Sequence, residues 1–441
     1  MRSGPRGPAG AVVGLVTALL LSFPALAAPG PGLATVRHVR LAPGIEHEEL
    51  RGAGPPLAVN VARVAPGTAA RVRVLLSNDR VAPRPLASGT ETTSSMCARA
   101  GGVVCVNGDF FRCPSSCRPV GGVVIDGQVL RTPTPVHEQL SVTDGGFYAG
   151  TLSWAGTMTA IYETVEPVDE NLLDSLLPGT PPPERRTETR QMTLDGVNVA
   201  RAEGLVVFTP AWAASTQTSP RVEVVVRAAG PLLVGHDMAV EPVSIRDGAG
   251  DTPIPPDGFV LSAAGAAADD LRAFVRAYQD TMADTRRITM RIDTSPPVVQ
   301  TVGAHPVLLR NGEVVANPRD AVVVSRQPRT VIGWNDAGQL WLVTIDGRQP
   351  GRSVGMTLHE AAALLQSMGA TGAVNLDGGG SSTFVTAGPC GGSGPCVQNQ
   401  PSDGRERPVT TALAVMPDDP ASVAPAVVTP AAASPREEAL V

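Results

Sequence analysis

Alternating apolar and polar residues predict that β-strands run through much of the chain. Successive side chains of a strand point to opposite faces, so this alternation marks a strand with one buried face. Strands are predicted at 57–64 (LAVNVARV), 70–76 (ARVRVLL), 103–107 (VVCVN) and 221–227 (RVEVVVR). Two hairpins are predicted at 121–130 and 306–315, with Asp126-Gly127 and Asn311-Gly312 at their tips.

Two other stretches have the spacing of helices. Residues 266–279 place their large apolar side chains on one stripe. A second helix is predicted at 358–368, because Thr357 and Glu360 form a T-x-x-E capping box and Gly369 follows as a C-terminal stop.

The second helix lies between two predicted strands, 340–345 (LWLVTI) and 372–376 (GAVNL). The segment 340–385 is therefore predicted to be a strand–helix–strand unit. Ligands of such units gather beyond the carboxyl ends of the strands. Asp346 and Asp377 follow these two strands directly, so both are candidate site residues.

Together these elements predict an α+β fold, with mixed β-sheets and a few packed helices. We expect a secretory signal peptide at 1–28, a weakly ordered segment at 29–51, one folded domain at 52–415 and a disordered Pro/Ala-rich tail at 416–441. Prolines and charges near 172–190 predict an exposed loop or insertion within the domain.

The predicted signal peptide has the three usual parts. Arg2 and Arg6 supply positive charge, residues 11–23 are apolar, and residues 25–28 offer small side chains for cleavage. The apolar run is too short for a membrane span. We therefore expect a secreted protein without a stable membrane anchor.

An exported protein with six cysteines is expected to form disulfides. Cys390 and Cys396 lie together in the segment CGGSGPC, far from the other cysteines, and are predicted to form one bridge. The other four cysteines allow three connectivities, of which the sequential one is preferred; they are Cys97, Cys105, Cys113 and Cys117. A zinc site around CPSSC is the alternative, but no His spacing accompanies it.

Composition excludes some classes of function. Among the 441 residues, aromatics make up only 3%, which disfavours a sugar-binding platform of stacked rings. The net charge is −6 and no basic run is present, so we expect no nucleic-acid partner. The chain has no lysine, which leaves arginine as its only permanent cation for an anionic ligand.

The stretch VNLDGGGSSTFV at 374–385 is the strongest candidate for chemistry. Three successive glycines let another group approach the backbone closely, and successive amides can form a nest for an anion such as phosphate. A tight structural hairpin is the alternative. Arg329, Arg348, Arg407 and Asp403 lie in other loops around the same predicted sheet, and arginine binds phosphate bidentately.

Other candidates have weaker support. His305 precedes a proline at a strand start and could line the site or be structural. Glu360 is explained by the capping box. The chain contains no G-x-S-x-G elbow, no H-E-x-x-H motif and no Walker loop. No cofactor is expected, and a divalent metal has no supporting ligand spacing.

Several blocks together resemble the phosphodiester glycosidase family. They are VNGDFF at 106–111, NVARAEGLVVFTPAWAASTQT at 198–218, RTVIG at 329–333, the long block at 342–385 and NQPSDGRERPVTTALAV at 399–415. The resemblance covers most of 57–415 and implies a secreted α+β hydrolase acting on sugar-1-phosphodiesters such as those of N-acetylglucosamine. Bacterial members are commonly associated with exopolysaccharide or cell-wall glycopolymers, so a phosphate-bearing glycan is the implied partner. No protein partner is assigned.

The resemblance also implies site residues. The family's polar motif positions fall on Asn107, Arg329, Thr330, Asp346, Arg348, Asn375, Asp377, Gly378, Gly379, Gly380, Ser381, Ser382, Asp403 and Arg407. Two positions depart from the family pattern. Asp109 stands where a small residue is more common, and His305 stands where relatives often read Gly-Gly-Pro. Both could line the site.

These residues suggest a mechanism and two alternatives. Asp377 is expected to act as nucleophile or base, with Asp346 as its partner, while the glycine turn and arginines bind phosphate. Asn107 is expected to hydrogen-bond substrate hydroxyls. The alternatives are a binding module for phosphate-bearing glycans, and a metal-dependent phosphodiesterase that would use Asp109, Asp346, Asp377 and Asp403 as ligands.

Overall fold

The computed structural model describes residues 32–165, 185–279, 286–388, 395–419 and 427–430. The predicted signal peptide at 1–28 lies outside these residues, as does most of the predicted loop near 172–190. Within the described residues, the strands form four sheets and four α-helices pack against them. None of the described helices has the length and apolar character needed to cross a membrane.

In chain order, the described strands are β1 (Leu33–Ala42), β2 (Ile45–Ala53), β3 (Pro56–Val64), β4 (Ala70–Leu76), β5 (Val104–Asn107), β6 (Val123–Ile125), β7 (Gln128–Arg131), β8 (Glu138–Thr143), β9 (Gly146–Thr151), β10 (Ser153–Val165), β11 (Arg185–Leu194), β12 (Gly196–Val197), β13 (Gly204–Phe208), β14 (Arg221–Ala228), β15 (Met238–Ala249), β16 (Gly258–Ala264), β17 (Arg287–Ser295), β18 (Gln300–Gly303), β19 (Val307–Arg310), β20 (Glu313–Val314), β21 (Arg329–Trp334), β22 (Leu340–Ile345), β23 (Gly372–Asn375), β24 (Phe384–Ala387), β25 (Pro395–Val397), β26 (Thr411–Pro417) and β27 (Val427–Pro430). The α-helices are α1 (Thr93–Ala100), α2 (Ala266–Gln279), α3 (Ala321–Val324) and α4 (Leu358–Ser367).

The four sheets have nine, eight, five and five strands. The nine-stranded sheet has the order β20-β19-β23-β21-β22-β3-β2-β1-β27, and the eight-stranded sheet has the order β11-β10-β17-β15-β14-β16-β13-β12. The first five-stranded sheet is β7-β6-β18-β8-β9, and the second is β25-β24-β5-β26-β4. Neighbours in these sheets pair antiparallel, except that β12 and β13 pair in parallel.

The predicted α+β class is wrong, because strands dominate the described chain. The longest of the four described helices, α2, has 14 residues. The two predicted helices gave strong local signals, whereas long strands such as β15 did not. Most β15 side chains are exposed or only partly buried, so its sequence lacks the apolar alternation that reveals a strand.

The predicted strand–helix–strand unit is present in a split form. The strands β22 and β23 both pair antiparallel with β21, which lies between them. They therefore run parallel to each other, and their carboxyl ends lie at the same edge of the sheet. The connecting helix α4 begins at the predicted capping box, in which Thr357 and Glu360 bond to each other's main chain.

The core joins all four sheets. One apolar cluster includes side chains from each of them, among them Val106, Val302, Phe208 and Ile332. A second cluster holds α2 on the eight-stranded sheet through buried residues such as Leu271 and Phe274, and a third holds α4 on the nine-stranded sheet. Burying each large apolar side chain contributes about 1.5–3 kcal/mol.

Three predicted irregular segments contain strands. Residues 29–51 were expected to be weakly ordered, but β1 and β2 form a hairpin that extends the nine-stranded sheet beyond β3. In the predicted tail, 416–417 belong to β26, and β27 pairs with β1. Residues 185–190 of the predicted loop belong to β11. Main-chain pairing to a neighbouring strand outweighs the prolines and charges that suggested disorder.

Two of the three predicted disulfides lie within the described residues. Cys97 pairs with Cys105, and Cys113 pairs with Cys117, which is the sequential connectivity. The predicted Cys390–Cys396 bridge involves Cys390, which lies outside the described residues. The Cys97–Cys105 bridge ties α1 to β5, the strand that leads to Asn107.

Candidate active site

The glycine turn, residues 377–382, connects two sheets. It leaves the nine-stranded sheet after β23 and enters the second five-stranded sheet at β24. Gly379 has a φ of +64°, a conformation that glycine adopts without strain, and it begins a 3-10 turn over Gly379–Ser381.

One guanidinium packs directly on this turn. A Cβ on Gly379 would lie 3.1 Å from Nη2 of Arg348, so the absence of a side chain lets the arginine lie against the main chain. The Arg348 side chain is oriented by Gln327, whose Oε1 accepts a hydrogen bond from Nε at 2.7 Å. Arg348 is exposed and can reach a ligand above the turn.

A second guanidinium packs on the next glycine of the turn. A Cβ on Gly380 would collide with the side chains of Arg407 and Asp403. Arg407 donates from Nη2 to Asp403 at 2.6 Å, and its Nη1 lies 3.4 Å from Oγ of Ser381. The glycines thus allow two cations, Arg348 and Arg407, to lie beside the turn.

Most amides of the predicted nest are engaged within the protein. The N–H of Gly378 donates to Oδ1 of Asp377 at 2.9 Å, and the N–H of Gly379 donates to the carbonyl of Pro328 at 3.0 Å. The N–H groups of the two serines close the 3-10 turn at 3.2 and 3.3 Å. An anion at this turn would therefore meet guanidinium groups more than main-chain amides.

Asp377 is the partly buried carboxylate of the turn. Burial, together with the negative charge of Asp109, raises its pKa to about 6. Hydrogen bonds from Ser381 and the Gly378 N–H, and the charge of Arg407, oppose this rise in pKa. A carboxyl that titrates near neutrality can serve as a base or nucleophile, which makes Asp377 the strongest catalytic candidate.

Two buried polar residues, Asn107 and Thr330, hold the main chain of Asp377 in place. Nδ2 of Asn107 donates to the Asp377 carbonyl at 2.6 Å, and Oδ1 of Asn107 accepts from the Thr330 hydroxyl at 2.7 Å and from the Thr383 N–H at 3.1 Å. Asn107 and Thr330 are fully buried. They fix the glycine turn and cannot touch a substrate hydroxyl, contrary to the expectation for Asn107.

Asn375 connects the end of β23 to the segment that carries His305. Its Nδ2 donates to the His305 carbonyl at 2.7 Å, and its carbonyl accepts from the His305 N–H at 2.8 Å. Asn375 is buried, as is Ser382 at the other end of the turn. Both residues therefore belong to the support of the turn.

Arg329 points away from the turn. Its guanidinium donates to the carbonyls of Met356, Val322 and Ser325 at 3.1, 2.6 and 2.7 Å. The side chain is buried, and burial lowers its pKa to about 10. These contacts place Arg329 in the support of α3 and α4 and not in the predicted phosphate site.

Asp346 lies behind the turn and does not pair with Asp377. Its carboxylate is buried and accepts from Nδ2 of Asn399 at 3.1 Å, from the Gln400 N–H at 3.1 Å and from Arg352 at 3.2 Å. Asn399 also donates to the Ser382 carbonyl at 3.0 Å. Asp346 therefore positions the segment that closes over the turn, and its expected role as the second catalytic carboxylate is not supported by this geometry.

Asp109, which is not Asp377's expected partner, is the carboxylate whose charge acts on Asp377. Its buried carboxylate accepts from the Gly121 N–H at 2.6 Å and lies 3.3 Å from Nε2 of His137. The Asp377 N–H donates to the carbonyl of the adjacent Gly108 at 3.0 Å, which brings the two aspartates into neighbouring positions.

His305 lies at the rim of the same group. Its Nδ1 is 3.0 Å from Oε2 of Glu138, and its ring centroid is 6.0 Å from that of His137. Hydrogen bonding to Glu138 raises the pKa of His305. The structure thus brings His305, Asp109 and Asp377 to one region, together with His137 and Glu138, which the sequence did not reveal.

The site residues that the sequence analysis did not identify carry no recognisable local sequence pattern. His137 bonds to a residue 28 positions away, and Glu138 bonds to one 167 positions away. Gln327 and Asn399 also gain their roles from contacts between distant segments. Such residues become visible only when the sheets are assembled.

The described carboxylates that were candidate metal ligands do not form a cluster at the glycine turn. Asp346 and Asp403 are engaged by Arg352 and Arg407, and Asp109 is engaged by His137. Among the described residues, the group of three potential ligands that lie within 4.8 Å of one another consists of His38, Glu46 and Glu48, on the β1–β2 hairpin.

Comparison with known proteins supports the motif-based interpretation over part of the chain. The model of the family described as phosphodiester glycosidase matches residues 234–416. That range contains the glycine turn but leaves Asn107, Asp109 and His137 outside it.

One curated relative is the N-acetylglucosamine-1-phosphodiester alpha-N-acetylglucosaminidase of Bos taurus. It is 34% identical over 111 residues, which are 22% of this chain and 21% of the relative. The match thus spans about a fifth of that relative's length.

Two solved structures share the fold. A hypothetical protein from Synechocystis has a TM-score of 0.56 and 21% identity, covering 85% of this chain and 62% of that chain. A Burkholderia pseudomallei protein that is described as exported has a TM-score of 0.54 and 25% identity, covering 82% of this chain and 74% of that chain. Residues 234–416, which hold the glycine turn, are thus similar to the phosphodiester glycosidase family.

Proposed function

We propose that this protein hydrolyses sugar-1-phosphodiesters of the N-acetylglucosamine-1-phosphodiester type. The observation that carries the proposal is Asp377, a partly buried carboxylate with a pKa raised to about 6, at the start of a glycine turn on which two guanidinium groups pack. The name of the curated relative describes an enzyme of this activity, and the family model matches the part of this chain that holds the turn.

Arg348 and Arg407 bind the phosphodiester in this proposal. They pack on adjacent glycines of the turn and carry permanent charge, and guanidinium groups form paired hydrogen bonds with phosphate oxygens. The same two groups stabilise the negative charge that grows on the departing phosphate. Such fixed electrostatic stabilisation is a large term in many enzymes.

The reaction breaks the bond between the anomeric carbon and the bridging oxygen. The ionised Asp377 either attacks the anomeric carbon or takes a proton from the attacking water, and the bonding electron pair leaves with the phosphate. One water is consumed, its hydroxyl ends on the sugar, and the other product is a phosphomonoester. Because phosphate is a good leaving group, little proton donation is needed.

The Asp109–His137 pair lies on the other side of Asp377 in this scheme. The charge of Asp109 helps to keep the pKa of Asp377 high, and Nε2 of His137 lies 3.3 Å from Oδ1 of Asp109. Asn107, Thr330, Arg329 and Asp346 act as positioning residues, since their polar groups are bonded within the protein. Asn375 is held through Nδ2, which donates to the His305 carbonyl, while its buried Oδ1 has no described hydrogen-bond partner.

We further propose that the substrate is an extracellular glycopolymer that carries phosphate, such as exopolysaccharide or cell-wall material. The two disulfides suit an oxidising compartment, and the N-terminal pattern suits export. Secretion would bring the site to such polymers.

The test is turnover of an N-acetylglucosamine-1-phosphodiester by wild type and by Asp377→Asn. Wild type should release free N-acetylglucosamine, and the variant should lose at least 100-fold in kcat, on the order expected for loss of a catalytic base. The asparagine can still accept the Gly378 N–H, so unfolding at pH 7 should not become easier. Near-wild-type hydrolysis by the variant, or binding without any hydrolysis by the wild type, would reject the proposal.

A further inference from the structure

A cavity of about 600 Å³ lies next to the Asp109–His137 pair. His137 forms part of its wall, and so do four arginines, Arg112, Arg118, Arg131 and Arg201. The Arg131 side chain donates to the Gly121 carbonyl at 3.0 Å, and the N–H of Gly121 is the donor that holds Asp109. The cavity and the candidate active site therefore share a wall.

The charge of this wall is strongly positive. Its only described carboxylate is Asp195, so with His137 neutral the four guanidinium groups leave a net charge of +3. Oδ2 of Asp195 already accepts the Leu205 N–H at 2.8 Å. The whole chain has a net charge of −6, so the composition of the chain does not explain this local excess of cations.

None of these four arginines forms an ion pair among the described residues, and two of them, Arg118 and Arg112, also make no described side-chain hydrogen bond. The Arg118 guanidinium lies 4.4 Å from the centre of the Trp212 ring, and its Nε is buried without a hydrogen bond. Arg112 is exposed on the loop that Cys113–Cys117 closes, and it makes no described side-chain hydrogen bond or ion pair. Like charges this close together repel one another, and an incoming anion would relieve that repulsion.

The structural alternative is that these arginines only fasten loops. It accounts for Arg131, which bonds two main-chain carbonyls, and for Arg201, which donates to the Asp195 carbonyl at 2.7 Å. It does not account for Arg112 or for the hydrogen-bonding groups of Arg118. The two unpaired guanidinium groups favour a ligand with several oxygen acceptors.

We propose that this arginine cavity binds a second phosphate group of the glycan, next to the diester that is cleaved. This inference rests on the proposed function for the bond that is broken, and it adds a preference for substrates with more than one phosphate. A neighbouring phosphate in a repeating glycopolymer would occupy the cavity while the reacting diester lies between Arg348 and Arg407.

A binding experiment tests the cavity without catalysis. Isothermal titration of the full chain with inorganic pyrophosphate should detect two sites. Arg118→Gln and Arg112→Ala should each weaken one site at least tenfold, Arg348→Ala should weaken the other, and the exposed control Arg227→Ala should change neither. A single site that responds to Arg348→Ala but not to the cavity variants would overturn the proposal. Arg112 is exposed, so its variant guards against misfolding of Arg118→Gln.

A kinetic experiment tests the substrate preference. Two N-acetylglucosamine-1-phosphodiesters are compared, one with a methyl group on the phosphate and one with a short alkyl chain that ends in a second phosphate. Wild type should favour the second substrate at least tenfold in kcat/KM. The two cavity variants should lose this preference and keep wild-type kcat/KM on the methyl ester.

The outcomes separate this inference from the proposed function. Equal losses on both substrates would mean that the cavity holds the reacting phosphate, and an equal preference for a terminal carboxylate would mean that it selects any anion; both would overturn the proposal. If neither diester is hydrolysed but the cavity variants still lose pyrophosphate binding, phosphate binding by the cavity is supported and the proposed hydrolysis is rejected.

Discussion

Burial divides the candidate residues into two groups. Arg348 and Arg407 reach solvent beside the partly buried Asp377, whereas residues such as Asn107 and Asp346 are buried and bonded within the protein. The sequence could identify both groups as polar residues near glycines and strand ends. It could not separate them, because burial of a side chain depends on segments that come from elsewhere in the chain.

The electrostatic coupling of the two aspartates predicts a pH effect. Asp377 must be ionised to act, so kcat/KM should rise with pH through about 6, the pKa set by burial and by Asp109. Asp109→Asn removes a neighbouring negative charge, which lowers the pKa of Asp377. The acidic limb of the kcat/KM profile should therefore move to lower pH. A limb that stays in place, or moves upward, would show that the two carboxylates are not coupled.

The role of Arg348 predicts a loss that depends on substrate charge. A hydrogen bond to a charged group contributes about 1.5–3 kcal/mol, so Arg348→Ala should lower kcat/KM for a phosphodiester by roughly 10- to 100-fold. An uncharged N-acetylglucosaminide should show a much smaller change. Arg348→Lys keeps the charge and should recover part of the loss. Equal losses on both substrates would reject the assignment.

At the scale of elements, the sequence was most informative where the signal is local. Alternation defined β3, β4 and β14, and the capping box located the start of α4. Strands with exposed or mixed faces, such as β15, and the hairpin of β1 and β2 were missed. Those segments are strands because they pair with other strands, and the apolar pattern of a single segment does not show its pairing partners. The same pairing makes strands dominate the fold.

The glycine turn should not tolerate a side chain at Gly380. A methyl group there would collide with Arg407 and Asp403 and push the guanidinium away from Ser381. Gly380→Ala should therefore lower kcat/KM for a phosphodiester at least tenfold. The control is Gly145→Ala in the β8–β9 turn, where a Cβ would meet Thr143 at an ordinary 3.6 Å. Wild-type activity in Gly380→Ala would show that the close approach of Arg407 is not required.

The capping box of α4 predicts a change in stability. Thr357→Ala removes the acceptor for the Glu360 N–H at 3.1 Å and should reduce the free energy of unfolding by about 1 kcal/mol. Glu360→Gln keeps a side chain that can bond back to the Thr357 N–H, and it loses only an exposed ion pair with Arg326, so its effect should be smaller. Urea denaturation compares the two variants. A larger loss in Glu360→Gln would contradict this account of the helix start.

At the scale of the whole molecule, three of the four sheets bring distant segments to one place. Asp109 follows β5, Asp377 follows β23, His137 precedes β8, and Arg407 precedes β26. The motifs predicted that most of the family's segments would meet, but they gave no information on His137 or the arginine cavity. Those features depend on contacts between sheets that no single segment encodes.

The most direct test of the central claim is to follow oxygen during hydrolysis of an N-acetylglucosamine-1-phosphodiester in H₂¹⁸O. Attack at the anomeric carbon beside Asp377 predicts that the label appears in the anomeric hydroxyl of free N-acetylglucosamine, that the phosphomonoester carries none, and that EDTA does not change the rate. Label in the phosphate, with N-acetylglucosamine-1-phosphate as a product, would mean that the P–O bond breaks and would contradict the account.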